Sequence, residues 1–476
     1  MPPPSDVAVS TNRDAPADSV NPASAAAPRA LHKAWPRAIA VVWLLLNVTL
    51  LWIYYDPGQK PLVGDEFDYQ RRALALLAGQ PLVELFIWPP GQTGFVASIY
   101  WLFGSRLLAV QIVQIVLLAM CAAMLVRLWQ TIDNGRAAFF AGAVFLLNPG
   151  TLAYATWLWP EVTHLACLLG ALVLLLTLNT RPRLRAFAAG LLIGLALLFK
   201  SLLGGFWPLF LLFFVQRRER RYSVAWLSAF AFATGMLVVT LPALWKGQVE
   251  TGRPMIADSS MYNLYVGILD RSRSDYIDEA GLPALTAFIE SAPTPQQRNA
   301  IYLDKVKTIL AERGTLAVLG EQLGSQYFRL FNAKTLLVSQ LPGPACAGRM
   351  GAYGANPLGP ALAGLSQATH TITLVLFGFG IVLWRRWRQP LAVFAAGYLA
   401  YQLALYLGLH VMERYLFQML PLMCGFAGSL LARFGGSADG SATLSITPPR
   451  IACGFVLASI LVGLAWLGPV LDGQCG

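Results

Sequence analysis

Charge is what this chain has least of. Only 12% of its 476 residues are Asp, Glu, Lys or Arg, against about 25% in a soluble globular domain. A chain so poor in charge cannot wet a folded surface of this size, so most of that surface must face lipid. Histidine is scarce too, at four residues, and the six cysteines make no CxxC pair and no metal-ligand spacing. Cysteine-based metal or redox motifs are therefore lacking. Cys121, Cys167, Cys424 and Cys453 fall inside apolar runs, where a free thiol behaves as a small hydrophobe. A one-sided basic face is also missing. The net charge of +11 sits in short clusters between apolar runs, the pattern of membrane topology and not of a nucleic-acid partner.

What the chain does have is apolar length: 56% hydrophobic residues, 12% aromatics and 14 tryptophans. This predicts an all-α polytopic membrane protein with aromatic belts at the interfaces. Residues 1–30, rich in Pro, Ala and Ser, read as a disordered tail. No small-residue cleavage site follows the first apolar run, so a cleaved signal peptide is not expected. That run, 36–55, is preceded by Arg29, Lys33 and Arg37, which places the tail in the cytoplasm. Further spans are predicted near 106–130, 137–156, 160–179, 186–203, 204–216, 222–245, 367–384, 390–409, 415–433 and 451–470, about eleven helices in all. Arg136, RPRLR (181–185), RRERR (217–221), RRWR (385–388), Arg433 and Arg450 fall on every second loop, as cytoplasmic loops require. The opposite loops carry Asp65, Glu66, Glu161 and Glu413.

The domain reading is a tail (1–30), an N-terminal transmembrane module (31–245) with an outer loop at 56–105, a large outer loop (246–366), and C-terminal helices (367–476). In the first outer loop, residues 66–79 and 92–103 are amphipathic pieces expected to lie in the interface plane, separated by WPP at 88–90 and Gly91. In the large loop, 295–313 predicts a helix capped by Thr294, with Pro295 in its first turn and Gly314 at its stop.

The spans are nearly free of charge in their middles, where a transporter of ions or protons places its site. Asp65, Glu66, Glu161, Lys200, His410 and Arg414 fall instead near the outer boundary. That describes a site at the membrane–water interface, open to a lipid substrate on one side and to an aqueous or lipid acceptor on the other. Each residue also has a blander reading. Asp65 with Asp68 could cap a helix, and so could Glu161 after Pro160. Lys200 could snorkel to the interface, Arg414 could pair with Glu413, and His164 could be a satisfied core residue.

The DE pair in the first outer loop, the PP segment and the second interfacial piece resemble the GT-C polytopic glycosyltransferases. The resemblance is to the bacterial branch related to protein O-mannosyltransferases and the lipid A aminoarabinose transferase. NPG at 148–150 leading to Glu161, FK at 199–200, YNLYVG at 262–267 and ERYLFQMLP at 413–421 agree with it. Trp88 stands where many relatives carry a basic residue, and Glu161 where Asp is frequent. The resemblance implies a GT-C fold, a polyprenyl-phosphate sugar as donor, a lipid, glycan or protein as acceptor, and transfer on the periplasmic face of a bacterial inner membrane. Asp65 is then the expected general base. Lys200 and Arg414, with His410 as a hydrogen-bond donor, are expected at the donor phosphate. Glu66 and Glu161 would orient the acceptor or a metal. A pair of carboxylates such as Asp65 and Glu161 suggests Mg²⁺ or Mn²⁺ without requiring it. The alternative is a transporter or flippase of a lipid-linked or small solute, which would show inverted repeats and Gly/Pro-broken helices near the midplane. Cys346 and Cys475 both fall on the outer side with the C-terminus, where a disulfide between them could form.

Overall fold

In the computed structural model, residues 39–49, 51, 62, 65–80, 86–176, 180–218, 221–257, 259–269, 281–333, 359–434 and 443–471 are described. The chain divides into two units, Met1–Leu45 and Leu46–Gly476. Of the first, only the start of helix α1 (Ile39–Thr49) is described; the second holds every other element.

Apolar run length builds this second unit. Helices α4 (Leu107–Trp129), α8 (Pro182–Phe199) and α9 (Trp226–Thr251), and much of α14 (Gly359–Leu383) and α17 (Pro448–Leu471), are long and apolar enough to cross a bilayer. Helix α5 (Gly135–Leu146) continues into Pro149–Thr156 across a 60° bend, giving a sixth, broken crossing whose second half starts with α6 (Pro149–Ala153). Shorter apolar helices are α7 (Glu161–Leu176), α15 (Pro390–Leu405) and α16 (Leu420–Phe434). The chain is thus a helical multi-pass membrane protein.

Among the described residues five helices, or six with the bent pair, are long and apolar enough to cross, against about eleven expected spans. Residues 204–216 do not make an α-helix. Ser201–Gly205 and Trp207–Phe214 are 3₁₀ turns, leading into a short antiparallel hairpin with Val215 opposite Val224 and Arg218 opposite Arg221. Gly204, Gly205 and Pro208 are poor α-helix material. The segment is held by rings instead: Phe206 and Phe210 lie 5.3 and 5.0 Å from Phe394 on α15. A 3₁₀ rise of about 2.0 Å per residue would stretch residues 201–214, if straight, to about 28 Å. That explains how so short an apolar run can match the thickness of a full span.

Helices α8 and α9 pack backbone to backbone. A Cβ on Gly190 would meet the Phe232 carbonyl, and one on Gly235 would meet the Phe187 carbonyl. Small residues at such crossings let helices gain van der Waals contact where lipid supplies no hydrophobic drive. At the arginine-bearing helix ends, the Arg386 guanidinium donates to Ile132 O at 3.2 Å and that of Arg450 to Trp384 O at 3.2 Å.

The opposite ends carry two interfacial helices, α2 (Asp65–Leu77) and α3 (Gly91–Phe103), and a layer of α10 (Ser260–Leu269), α11 (Gly281–Glu290), α12 (Pro295–Arg313) and α13 (Thr315–Ser325). Helix α12 has its expected bounds: the Thr294 side chain accepts from Gln297 N, and Gly314 ends it at φ 82°. Tyr302 of α12 is buried with Ile87, Tyr262 and Phe288, which joins the layer to the WPP segment. Helices α10 and α13 also grip residues 408–410. The His410 N–H donates to Asn263 O at 2.9 Å, and Gln322 Nε2 donates to Leu409 O at 2.8 Å.

The close glycine crossing predicts a stability difference. Gly190→Leu should destabilise the folded protein in detergent by about 1–3 kcal/mol, as overpacking does. Gly463→Leu, where a Cβ meets nothing within 4 Å, should leave the unfolding midpoint unchanged.

Candidate active site

Four charges from distant parts of the chain meet at one end of the helices. Asp65 opens α2, whose first turn also carries Glu66 and Asp68, where the helix dipole favours acids. Its Oδ2 accepts from Arg414 Nη2 at 2.9 Å. Glu161 opens α7 directly after Pro160 and accepts from Lys200 Nζ at 2.9 Å. Arg414 Nε stands 3.9 Å from the same Glu161 oxygen. Lys200 follows the last turn of α8 in extended conformation, and Arg414 lies in a 3₁₀ segment (Glu413–Gln418) ahead of α16. The charges therefore alternate: Asp65, Arg414, Glu161, Lys200. The Glu161 side chain is 1% exposed, those of Lys200 and Arg414 13%, and that of Asp65 29%. Asp65 is the member open to water.

Rings surround the two cations. The Arg414 guanidinium lies 4.8 Å from the Trp159 ring centre and 5.7 Å from that of Tyr415, while Lys200 Nζ is 5.1 Å from Tyr415. Tyr415 stacks on Tyr406 at 4.9 Å. Such faces stabilise desolvated cations. Tyr69, one helical turn beyond Asp65, is buried beside the acids. Burial above all, and then Asp65 and Glu161, push its phenol well above the ordinary range, so it is a hydrogen-bond donor and not a base.

The remaining expected residues separate. Glu66, expected to orient the acceptor or a metal, is turned inward: it is fully buried and its Oε1 accepts from the Leu158 N–H at 2.8 Å. Adjacent positions on a helix point about 100° apart, so one member of the DE pair faces the charges and the other the core. Asp68 pairs with Arg71 on the surface at 2.8 Å. His164 is buried, with Nδ1 3.0 Å from Ala196 O, while its Nε2 is buried with no hydrogen-bond partner among the described residues, so the satisfied core histidine of the blander reading is only half met. His410 is 2% exposed. Burial foremost, then the Arg414 and Arg329 guanidiniums, push its imidazole down to about 3, so it is neutral and no phosphate-binding cation. Cys121 and Cys424 are buried free thiols; the Cys346–Cys475 pair lies outside the described residues.

The donor set does not suit a divalent ion. Asp65 and Glu161 each already hold a guanidinium or ammonium group, and among the described residues no three His, Cys, Asp or Glu side chains converge on a metal position.

Charge patterning could not reveal the buried glutamines. Between α6 and α7 the backbone leaves the α-helix, and residues 148–163 are buried. Gln114 Nε2 donates to Ala155 O at 3.0 Å and to Trp157 O at 2.6 Å, and Gln111 Nε2 to Thr156 O at 2.9 Å. Gln92 Nε2 donates to Leu158 O at 2.9 Å. The sequence signal for two of them was present: Gln111 and Gln114, one turn apart inside an apolar run, need partners at membrane depth.

Residues 88–245 match the family model for dolichyl-phosphate-mannose-protein mannosyltransferase. That segment contains Glu161 and Lys200 but neither Asp65 nor Arg414, and it supports the resemblance to the GT-C superfamily. No curated protein matches the sequence. Among solved structures, the chain is similar to the archaeal oligosaccharyltransferase AglB from Archaeoglobus fulgidus, in complex with an inhibitory peptide and a dolichol-phosphate. The identity is 14% and the TM-score 0.48, over 92% of this chain and 55% of that one. It is similar also to ArnT from Cupriavidus metallidurans bound to undecaprenyl phosphate, at 14% identity and a TM-score of 0.44, over 92% of this chain and 65% of that one. The chain thus spans less than two thirds of the length of either.

Two outcomes are expected from the geometry. Glu161→Gln leaves Lys200 half-paired in a buried place and should destabilise the protein by about 3–5 kcal/mol, while Glu161→Leu with Lys200→Met should recover most of that loss; unfolding in detergent reads both. His410 is neutral when folded and takes up a proton near 6.5 when unfolded. Its contribution to stability is complete above pH 6.5 and falls steadily as the pH drops toward 3. His410→Gln should flatten the stability–pH curve in that window; an unchanged curve would contradict the assignment.

Proposed function

We propose that this chain is a membrane glycosyltransferase. It moves a sugar from a polyprenyl-phosphate donor to a lipid, glycan or protein acceptor at the periplasmic face of a bacterial inner membrane. The observation that carries the reading is the alternating row Asp65–Arg414–Glu161–Lys200 at the helix ends: a water-accessible carboxylate beside two cations held by a buried one.

The acceptor hydroxyl oxygen attacks the anomeric carbon, its proton passes to the Asp65 carboxylate, and the bond from that carbon to the phosphate oxygen breaks. The lipid phosphate departs with the bonding electron pair. Its growing negative charge is met by Lys200 and Arg414 in surroundings of low dielectric, where such contacts are worth most. Glu161 keeps both cations in place between turnovers. Arg414 pairs with Asp65. A donor phosphate competes for that guanidinium, and as Arg414 moves toward it Asp65 is released to act as base. His410, neutral beside Arg414, supplies a hydrogen bond at most. The outer layer, α10 to α13, covers the approach and selects the acceptor.

The transporter alternative is less well supported. It calls for Gly/Pro-broken helices, and the break at Asn148-Pro149-Gly150 is one. The glutamines and Glu66 occupy backbone groups just beyond it, whereas a transport pathway would leave such groups for solute.

Sugar transfer from a labelled polyprenyl-phosphate donor in membranes decides the matter. The native chain should transfer, and Asp65→Asn, at equal abundance and stability, should lose at least about 100-fold. Equal rates would remove Asp65 from the mechanism. Solute uptake without donor consumption would replace the reading altogether.

A further inference from the structure

We propose that Gln92, Gln111 and Gln114, together with Glu66, are positioning residues for Glu161: they clamp residues 155–158, where a 3₁₀ turn runs into extended chain, so that α7 begins where its first carboxylate meets both cations. The kinetic part of the test rests on the glycosyltransferase reading; the geometry does not.

Five side-chain bonds fall on four consecutive residues. Three amides from two helices, Gln111 and Gln114 of α4 and Gln92 of α3, take the carbonyls of Ala155, Thr156, Trp157 and Leu158. Glu66 of α2 takes the Leu158 N–H. All four side chains are fully buried. The Thr163 hydroxyl lies 3.1 Å from Gln92 Oε1 and 3.0 Å from Pro160 O, and its one proton is shared between them. Gln92 therefore holds the chain both before Glu161, at Leu158, and after it, inside the first turn of α7.

Residues 155–158 lie at the end of Pro149–Thr156 and in its connection to α7, beyond the 60° bend. Buried carbonyls in such a connection need partners, and the path of the connection sets the height and angle at which α7 begins, with Glu161 as its first residue. Its oxygen must reach Lys200 at the end of α8 and Arg414 ahead of α16. A shift of about 1 Å in such a carboxylate is enough to alter a preorganised charge site.

The test is a double-mutant cycle. Gln114→Leu removes two bonds and should lower kcat/KM for sugar transfer about tenfold in the native background, yet less than twofold in a Glu161→Gln background. Equal losses in both backgrounds would mean that the glutamine only supports the fold and would overturn the proposal. If Gln114→Leu does not fold, Gln111→Leu, which loses one bond, takes its place. A second readout needs no sugar: the rate at which a small amine-reactive reagent labels Lys200, followed by mass spectrometry. Gln114→Leu and Glu161→Gln should each raise it severalfold, and the double variant should add little. If Glu161→Gln has no residual transfer, or the native chain transfers from no polyprenyl-phosphate donor, this labelling cycle decides alone. In the second case the functional reading fails while positioning stands. Unchanged labelling in the glutamine variants overturns positioning in every case.

Discussion

A carboxylate as deeply buried as Glu161 is tolerable only in contact with positive charge, and much of the architecture serves that requirement. Two cations reach it, from the end of α8 and from the segment ahead of α16. With two cations and one acid the cluster would carry a surplus charge away from bulk water, and Asp65 balances it through Arg414. Four sequence-distant segments thus form a balanced cluster at one end of the bundle, where an unpaired ion in low dielectric would be costly. The aromatic faces of Trp159 and Tyr415 replace part of the hydration that the cations give up.

The second requirement is on the backbone. Lipid offers no hydrogen bonds, so a break such as Asn148-Pro149-Gly150 forces the protein to supply them. Asn148 caps the short helix after the bend by accepting from Gly150 N. Farther along, ahead of α7, glutamines from two helices take the carbonyls of residues 155–158.

How far the site could be read in advance differed by residue. Helix α12 was legible to its ends because its cap, first-turn proline and terminal glycine are local signals. Asp65, Glu66, Glu161, Lys200, His410 and Arg414 stand out as a group in the sequence because ionisable residues are so rare in this chain; four of the six meet in the charge row. Which acid faces which cation was not legible, since it depends on helix rotation; Glu66 beside Asp65 shows how adjacent acids part company. The run 204–216 reads as apolar length, and length does not distinguish an α-helix from a stretched 3₁₀ path stabilised by rings on α15. His410 is neutral because of neighbours brought by tertiary packing, which no window of sequence contains.

The grip of α10 on residues 408–410 also has a meaning for how such a protein diversifies. Gly267 sits so close to that segment that a Cβ would fall 2.6 Å from the His410 nitrogen. The outer layer is therefore not a detachable cap. A graft that exchanged α10–α13 for the equivalent part of another protein would bring a mismatched mould to the segment leading to Arg414. The outer layer and the segment leading to Arg414 would have to change hands together, as a single inherited cassette reaching from α10 to the start of α16.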